Sequence, residues 1–225
     1  PVIGPLAGIF VGCLIGFVNG IITVSLGLPS FLVTLGMLSI VEGVAQTLTG
    51  LQSVPVENPY FTGMFGSGAV FGVPVLFIWL LVALTVGHFI YVWTRFGVHV
   101  KAVGGNRYAA RAVGINTFWL RIIVLTMSGA VAGLAGELYA GELHGAAYTL
   151  GGSSFLLTTL AAVVIGGTSL FGGRGSIVGA VAGSLVMGMI KNGLILMGLA
   201  VPEQEIAIGL LIILAVATGL REVKE

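Results

Sequence analysis

Five of the nine Lys/Arg residues of this chain crowd into residues 95–121, RFGVHVKAVGGNRYAARAVGINTFWLR, and no acid stands among them. The sequence on either side is almost entirely apolar. A short basic island between long hydrophobic runs is the pattern of a loop on the inner face of a membrane. Composition agrees, because 57% of the 225 residues are hydrophobic and 8% are charged. A soluble domain carries about 25% charged residues, so a chain this poor in charge needs lipid as the solvent for most of its surface.

A membrane helix takes about 20 mainly apolar residues. Seven such stretches can be laid out, at residues 2–26, 31–49, 74–94, 118–140, 155–170, 177–196 and 205–220. The expected fold is therefore all-α, a polytopic helical membrane protein with about seven spans in one transmembrane domain over residues 1–225. Gly27-Leu28-Pro29-Ser30 interrupts the first pair. Proline removes an amide donor there and restricts the residue before it. A short loop and a kink both fit that break, and Ser30 is a candidate cap for the second span. Residues 51–73 and 141–153 read as loops, the first with Asn58-Pro59 as a turn signal.

Charge sets the expected orientation. With the basic island in the cytoplasm, the turn holding Arg174 and the tail holding Arg221 and Lys224 fall inside as well. The loops carrying Glu57, Glu142, Glu203 and Glu205 then fall outside, and only Lys191 among the basic residues sits on the outer side. The C-terminus is thus expected in the cytoplasm. Glycine is frequent, at 37 residues. Gly175, Gly179 and Gly183 recur every four residues, as do Gly129 and Gly133, with Ala132 and Gly136 nearby. Small faces of this kind let membrane helices approach closely.

Catalytic and metal chemistry find little support. Cys13 is the single cysteine, and His88, His99 and His144 lie far apart without ligands at metal-binding spacing. The run 166–175, GGTSLFGGRG, lacks the spacing and the Lys of a phosphate loop. No metal, no cofactor and no nucleic-acid partner are expected for this chain. Among acids inside spans, Glu42 shares a helical face with Gln46 and Thr49. That polar stripe either borders a substrate path or makes a helix–helix hydrogen bond. Glu137 and Glu142 either mark the outer interface or serve a proton relay.

Residues 102–116, AVGGNRYAARAVGIN, resemble the cytoplasmic loop of ribose-type ABC sugar permeases in their GGN…AAR…GIN frame. Residues 161–179, AAVVIGGTSLFGGRGSIVG, are similar to a second segment of that family. The resemblance implies an importer permease in a bacterial or archaeal plasma (inner) membrane. Two copies would form the pathway, a cytoplasmic ABC ATPase would hold ATP and Mg, and a periplasmic or extracellular sugar-binding protein would deliver the sugar. Members usually have about ten spans, so seven here imply a chain lacking about three N-terminal ones. A branched-chain amino-acid permease shares the architecture, and a carrier or channel independent of ATP is the alternative of another class.

In that family the loop, here residues 95–119, docks into a groove of the ATPase. Gly104, Gly105, Asn106, Arg107, Ala109, Ala110, Arg111, Gly114 and Ile115 match the family frame and carry the expected coupling role. Physically, Asn106 suits an N-cap, 107–113 makes about two helical turns, and Gly114 suits a left-handed stop. Ala109 and Ala110 would keep the tip slim, while Arg107 and Arg111, four residues apart, would share a face toward carboxylates of the ATPase. The acid that family members commonly carry near Arg107 or Tyr108 is absent here.

Overall fold

A computed structural model describes residues 3–169 and 172–222. The expected start of the first span at Val2, the end of the fifth at Leu170, the motif residue Phe171 and the tail residue Lys224 lie outside the described residues. Helices occupy all seven expected stretches: α1 (Ile3–Ser25), α2 (Ser30–Thr49), α4 (Val75–Trp93), α7 (Thr117–Glu142), α8 (Ser153–Ile165), α9 (Ile177–Leu196) and α10 (Val201–Glu222). Among the described residues, three shorter helices lie between them, α3 (Pro59–Phe65), α5 (Arg95–Gly105) and α6 (Arg107–Ala112). The only strands among the described residues are two-residue ladders: β1 (Val54–Pro55) pairs with β4 (Gly145–Ala146), and β2 (Ala69–Val70) with β3 (Val73–Pro74). This is a polytopic α-helical membrane protein. Among the described residues, five helices, α1, α2, α4, α7 and α9, are long and apolar enough to cross a bilayer.

The structure departs from expectation at the end of α8, at the Ser30 cap and at residues 95–105, and it decides the break after α1. α8 has 13 residues, about 20 Å at 1.5 Å per residue. It stops because Gly166 packs its Cα against α9 and Gly167 turns left-handed at φ +81°. The break after α1 is a connection between two separate helices, with Gly27 at φ +66°. Ser30 does not cap α2, since the cap position is Pro29 and no side chain bonds the first amides. Finally, residues 95–105 form a helix. Its N-cap is Thr94, whose hydroxyl accepts from the Gly97 amide at 3.3 Å.

The chain divides into two compact units. The first contains residues 1–81 and 116–152. Its centre is the antiparallel pair α1–α7. Gly8, Gly12, Gly16 and Gly20 repeat every four residues along α1 and place backbone against Glu137, Gly129, Leu125 and Ile122 of α7 in turn. A Cβ at Gly12 or Gly129 would run into the carbonyl of the other. Lipid offers no hydrophobic drive between helices, so this backbone-close packing is what holds the pair. At the α7 C-terminus, β1 and β4 tie loop 51–58 to loop 143–152, both expected outside. α3 closes over that end, with Asn58 capping it, Phe65 stacked on Phe61 and Trp79, and the Trp79 indole donating to the Met64 carbonyl at 3.1 Å.

The second unit contains residues 82–115 and 153–225. α8 and α9 form an antiparallel hairpin in which Gly166 meets Gly179 and Gly183 meets Ala162 through main-chain atoms. The expected small face of Gly175, Gly179 and Gly183 therefore has α8 and its following turn as its counterpart. α10 adds Ile208 to a core with Ala161, Ala162 and Met187. α10 begins earlier than expected because the Glu203 carboxylate accepts from the Ala200 amide at 2.8 Å and caps the first turn.

Candidate functional site

α6 is six residues, about 9 Å, too short to persist alone. Its ends explain why it forms. Asn106 lies at φ −152° and its Oδ1 accepts from the amides of Tyr108 and Ala109, both at 3.0 Å. At the other end Gly114 sits at φ +85°. The Gly114 amide bonds the Arg111 carbonyl at 3.0 Å and the Ile115 amide bonds the Ala110 carbonyl at 3.1 Å. That pair of bonds is a Schellman stop. Asn116 then caps α7 by accepting from the Trp119 amide at 3.2 Å. The Asn-cap and the glycine stop are as expected, with the helix one residue shorter.

The faces of α6 are not as expected. Ala110 is buried at 3% exposure, so it anchors the helix instead of slimming its tip. Arg107 is half-buried and its Nε is shielded without a hydrogen-bond partner. Arg107 and Arg111 thus do not present one common exposed face. What stands outward is Tyr108 (84% exposed), Ala109, Arg111, Ala112 and Val113 (76%). Tyr108 and Val113 are missed by capping logic alone, because which residues face out depends on how α6 seats on its own unit.

Gly104 and Gly105 end α5, and the structure places them against Gly172 and Gly173, between α8 and α9. Lys101, one turn earlier, lies over the Tyr91 ring at 4.4 Å from its centroid. Both segments brought together here are ones expected on the inner side. The repeated Gly-Gly dipeptide was the available sequence signal for this contact.

In the first unit, Glu42, Gln46 and Thr49 do share a half-buried face of α2. Glu42 lines a cavity of about 140 Å³ with Leu38, Val41 and Ala45 of α2 and with Ala147, Tyr148, Leu150, Gly151 and Gly152 of the following loop. Gln46 and Thr49 are not among the lining residues, and the Thr49 hydroxyl is spent on the Ala45 carbonyl at 2.8 Å. Tyr148 joins Glu42 in the cavity, which spacing in the sequence does not indicate. Glu137 differs from an interface marker: both of its carboxylate oxygens are buried against α1 at Gly8, without hydrogen-bond partners. Among the described residues no group of His, Cys, Asp or Glu is arranged to hold a metal ion.

A family model described as branched-chain amino acid transport system / permease component matches residues 1–216. Among curated relatives, the ribose import permease protein of Escherichia coli (strain K12) is 37% identical over 214 residues, covering 93% of this chain and 66% of the relative. The D-allose transport system permease protein of the same strain is 36% identical over 212 residues, with 94% and 64% covered. The fructose import permease protein of Rhizobium meliloti is 36% identical over 226 residues, with 96% and 62% covered. The chain thus spans somewhat under two thirds of the length of these relatives. No solved structure matches it.

Proposed function

This chain belongs to the permease-component family of the branched-chain amino acid transport system, and on that premise we propose that it is the membrane-spanning subunit of an ATP-driven ABC importer for a monosaccharide. The relatives named for ribose, allose and fructose import support the sugar class. The observation that carries the coupling half of the reading is α6, a helix of six residues capped at both ends and exposed at Tyr108, Ala109, Arg111 and Val113. A short helix with both ends satisfied is a rigid knob for another protein to push. In this reading the transport subunit hydrolyses nothing itself. ATP and Mg sit on a cytoplasmic ABC ATPase that grips the outward face at Tyr108, Ala109, Arg111 and Val113, while Gly104, Gly105, Asn106, Arg107, Ala110, Gly114 and Ile115 shape and seat the knob it grips. A second permease copy completes the pathway, and an extracytoplasmic binding protein hands over the sugar. The basic island and the C-terminus face the cytoplasm of a bacterial or archaeal cell, across its inner membrane.

The Glu42 face of α2 borders the substrate path in this reading, with Gln46 and Thr49 behind it. A sugar is a neutral polyol, and a carboxylate beside a phenol offers acceptors and a donor for its hydroxyls. The family name itself favours a second reading, a permease for branched-chain amino acids. The experiment is uptake into vesicles carrying the full-length protein, its ATPase and its binding protein, with labelled pentoses, hexoses and leucine. Sugar uptake that stops when the ATPase is inactivated is the expected result. Leucine uptake alone would replace the sugar reading, and uptake indifferent to ATPase loss would replace both with an ATP-independent carrier or channel.

A further inference from the structure

We propose that the main-chain contact between Gly104 and the Gly172–Gly173 turn is the positioning joint through which movement of α6 reaches the α8–α9 hairpin, an inference that rests on α6 being the ATPase-driven knob. The contact has no side chains in it. A Cβ on Gly172 would stand 2.6 Å from the Gly104 carbonyl oxygen, and one on Gly104 would stand 3.0 Å from the Gly173 amide nitrogen. A Cβ on Gly173 would stand 3.3 Å from the Gly105 Cα. Gly172 and Gly173 also lie at φ +94° and +79°, where other residues are strained. The conformation therefore favours glycine at both positions, and at Gly172 the approach to the Gly104 carbonyl leaves no room for a Cβ.

Side chains at a contact absorb small displacements by changing rotamer, whereas two apposed main chains have no such freedom and pass a displacement on. The chain has little slack on either side of this joint. Asn106 alone separates α5 from α6. Its amide closes α5 on the Ala102 carbonyl at 3.0 Å while its side chain caps α6. Beyond the turn, Ser176 caps α9 by accepting from the Gly179 amide at 3.1 Å. Gly179 and Gly183 then lock α9 onto α8 at Gly166 and Ala162. A contiguous run of capped ends and close main-chain contacts thus leads from α6 into the hairpin. Contiguity alone does not establish coupling, so the test must read coupling itself.

Gly188, inside α9 and away from both α6 and the joint, provides the control: Gly188→Ala gains helix propensity as Gly104→Ala does, yet a Cβ at Gly188 meets nothing within 4 Å. The full-length protein is reconstituted with its ATPase and binding protein, and three quantities are read: ATPase retained in the complex, ATP hydrolysed, and sugar imported per ATP. For Gly104→Val and Gly172→Ala the complex and its hydrolysis persist, while sugar imported per ATP falls by about fivefold or more, the low end of typical coupling energies. Gly188→Ala matches the unsubstituted protein. Import per ATP unchanged in Gly104→Val overturns the proposal. So does a joint fall of all three quantities in both Gly104→Val and the milder Gly104→Ala, which assigns the contact to folding alone. Import by the unsubstituted protein that needs no ATPase overturns instead the reading on which the joint rests.

Discussion

Asn106 serves two helices at once, closing α5 with its amide and opening α6 with its side chain. An N-cap of this kind is worth about 1 kcal/mol, and its loss falls on a helix too short to bear it. Asn106→Ala is expected to speed hydrogen exchange at the Tyr108, Ala109 and Ile115 amides while the thermal midpoint of the whole protein stays put. Unchanged protection at those amides would show that α6 is held by its surroundings and not by its cap. Asn106 and Gly114 were legible in the sequence because capping is local: an Asn, two turns and a Gly suffice to mark it. Outward-facing Tyr108 and inward-facing Ala110 were not legible, because facing is decided by what α6 packs on. The same holds for Tyr148, brought to Glu42 by a loop more than a hundred residues away in the chain.

At the scale of elements, glycine spacing decides which helices meet. Gly129 and Gly133 stand out in the sequence, but their partner stripe Gly8, Gly12, Gly16, Gly20, about a hundred residues upstream on α1, is shown only by the structure. Gly12→Val puts a branched side chain against the Gly129 carbonyl, and overpacking of this kind costs roughly 1–3 kcal/mol. Its thermal midpoint in detergent is expected to fall clearly. Gly36→Ala on α2, whose Cβ meets nothing within 4 Å, is expected to leave the midpoint unchanged or raise it. Equal behaviour of the two variants would contradict the α1–α7 interface. The short α8 shows the opposite limit of legibility. Its apolar composition suggested a span to Leu170, yet Gly166 and Gly167 end it at Ile165 because the Gly166 main chain is needed against Gly179.

At the scale of the molecule, the spans and the basic island were readable because hydropathy and charge distribution need no knowledge of partners. Orientation is testable with single cysteines, since Cys13 is the only native one. In a Cys13→Ala background, Tyr108→Cys and Arg174→Cys are expected to react with an impermeant thiol reagent only from the cytoplasmic side. Tyr60→Cys and Leu143→Cys are expected to react only from the outer side, and any exchange between the two sets would invert the topology. The proposal that an ATPase drives sugar import by acting on α6 is tested most directly by Arg111→Glu. In vesicles holding the full-length protein, its ATPase and its binding protein, sugar imported per ATP hydrolysed is expected to fall about tenfold or more while the variant remains assembled in the membrane. Sugar import by Arg111→Glu at the unsubstituted rate and stoichiometry would contradict the claim.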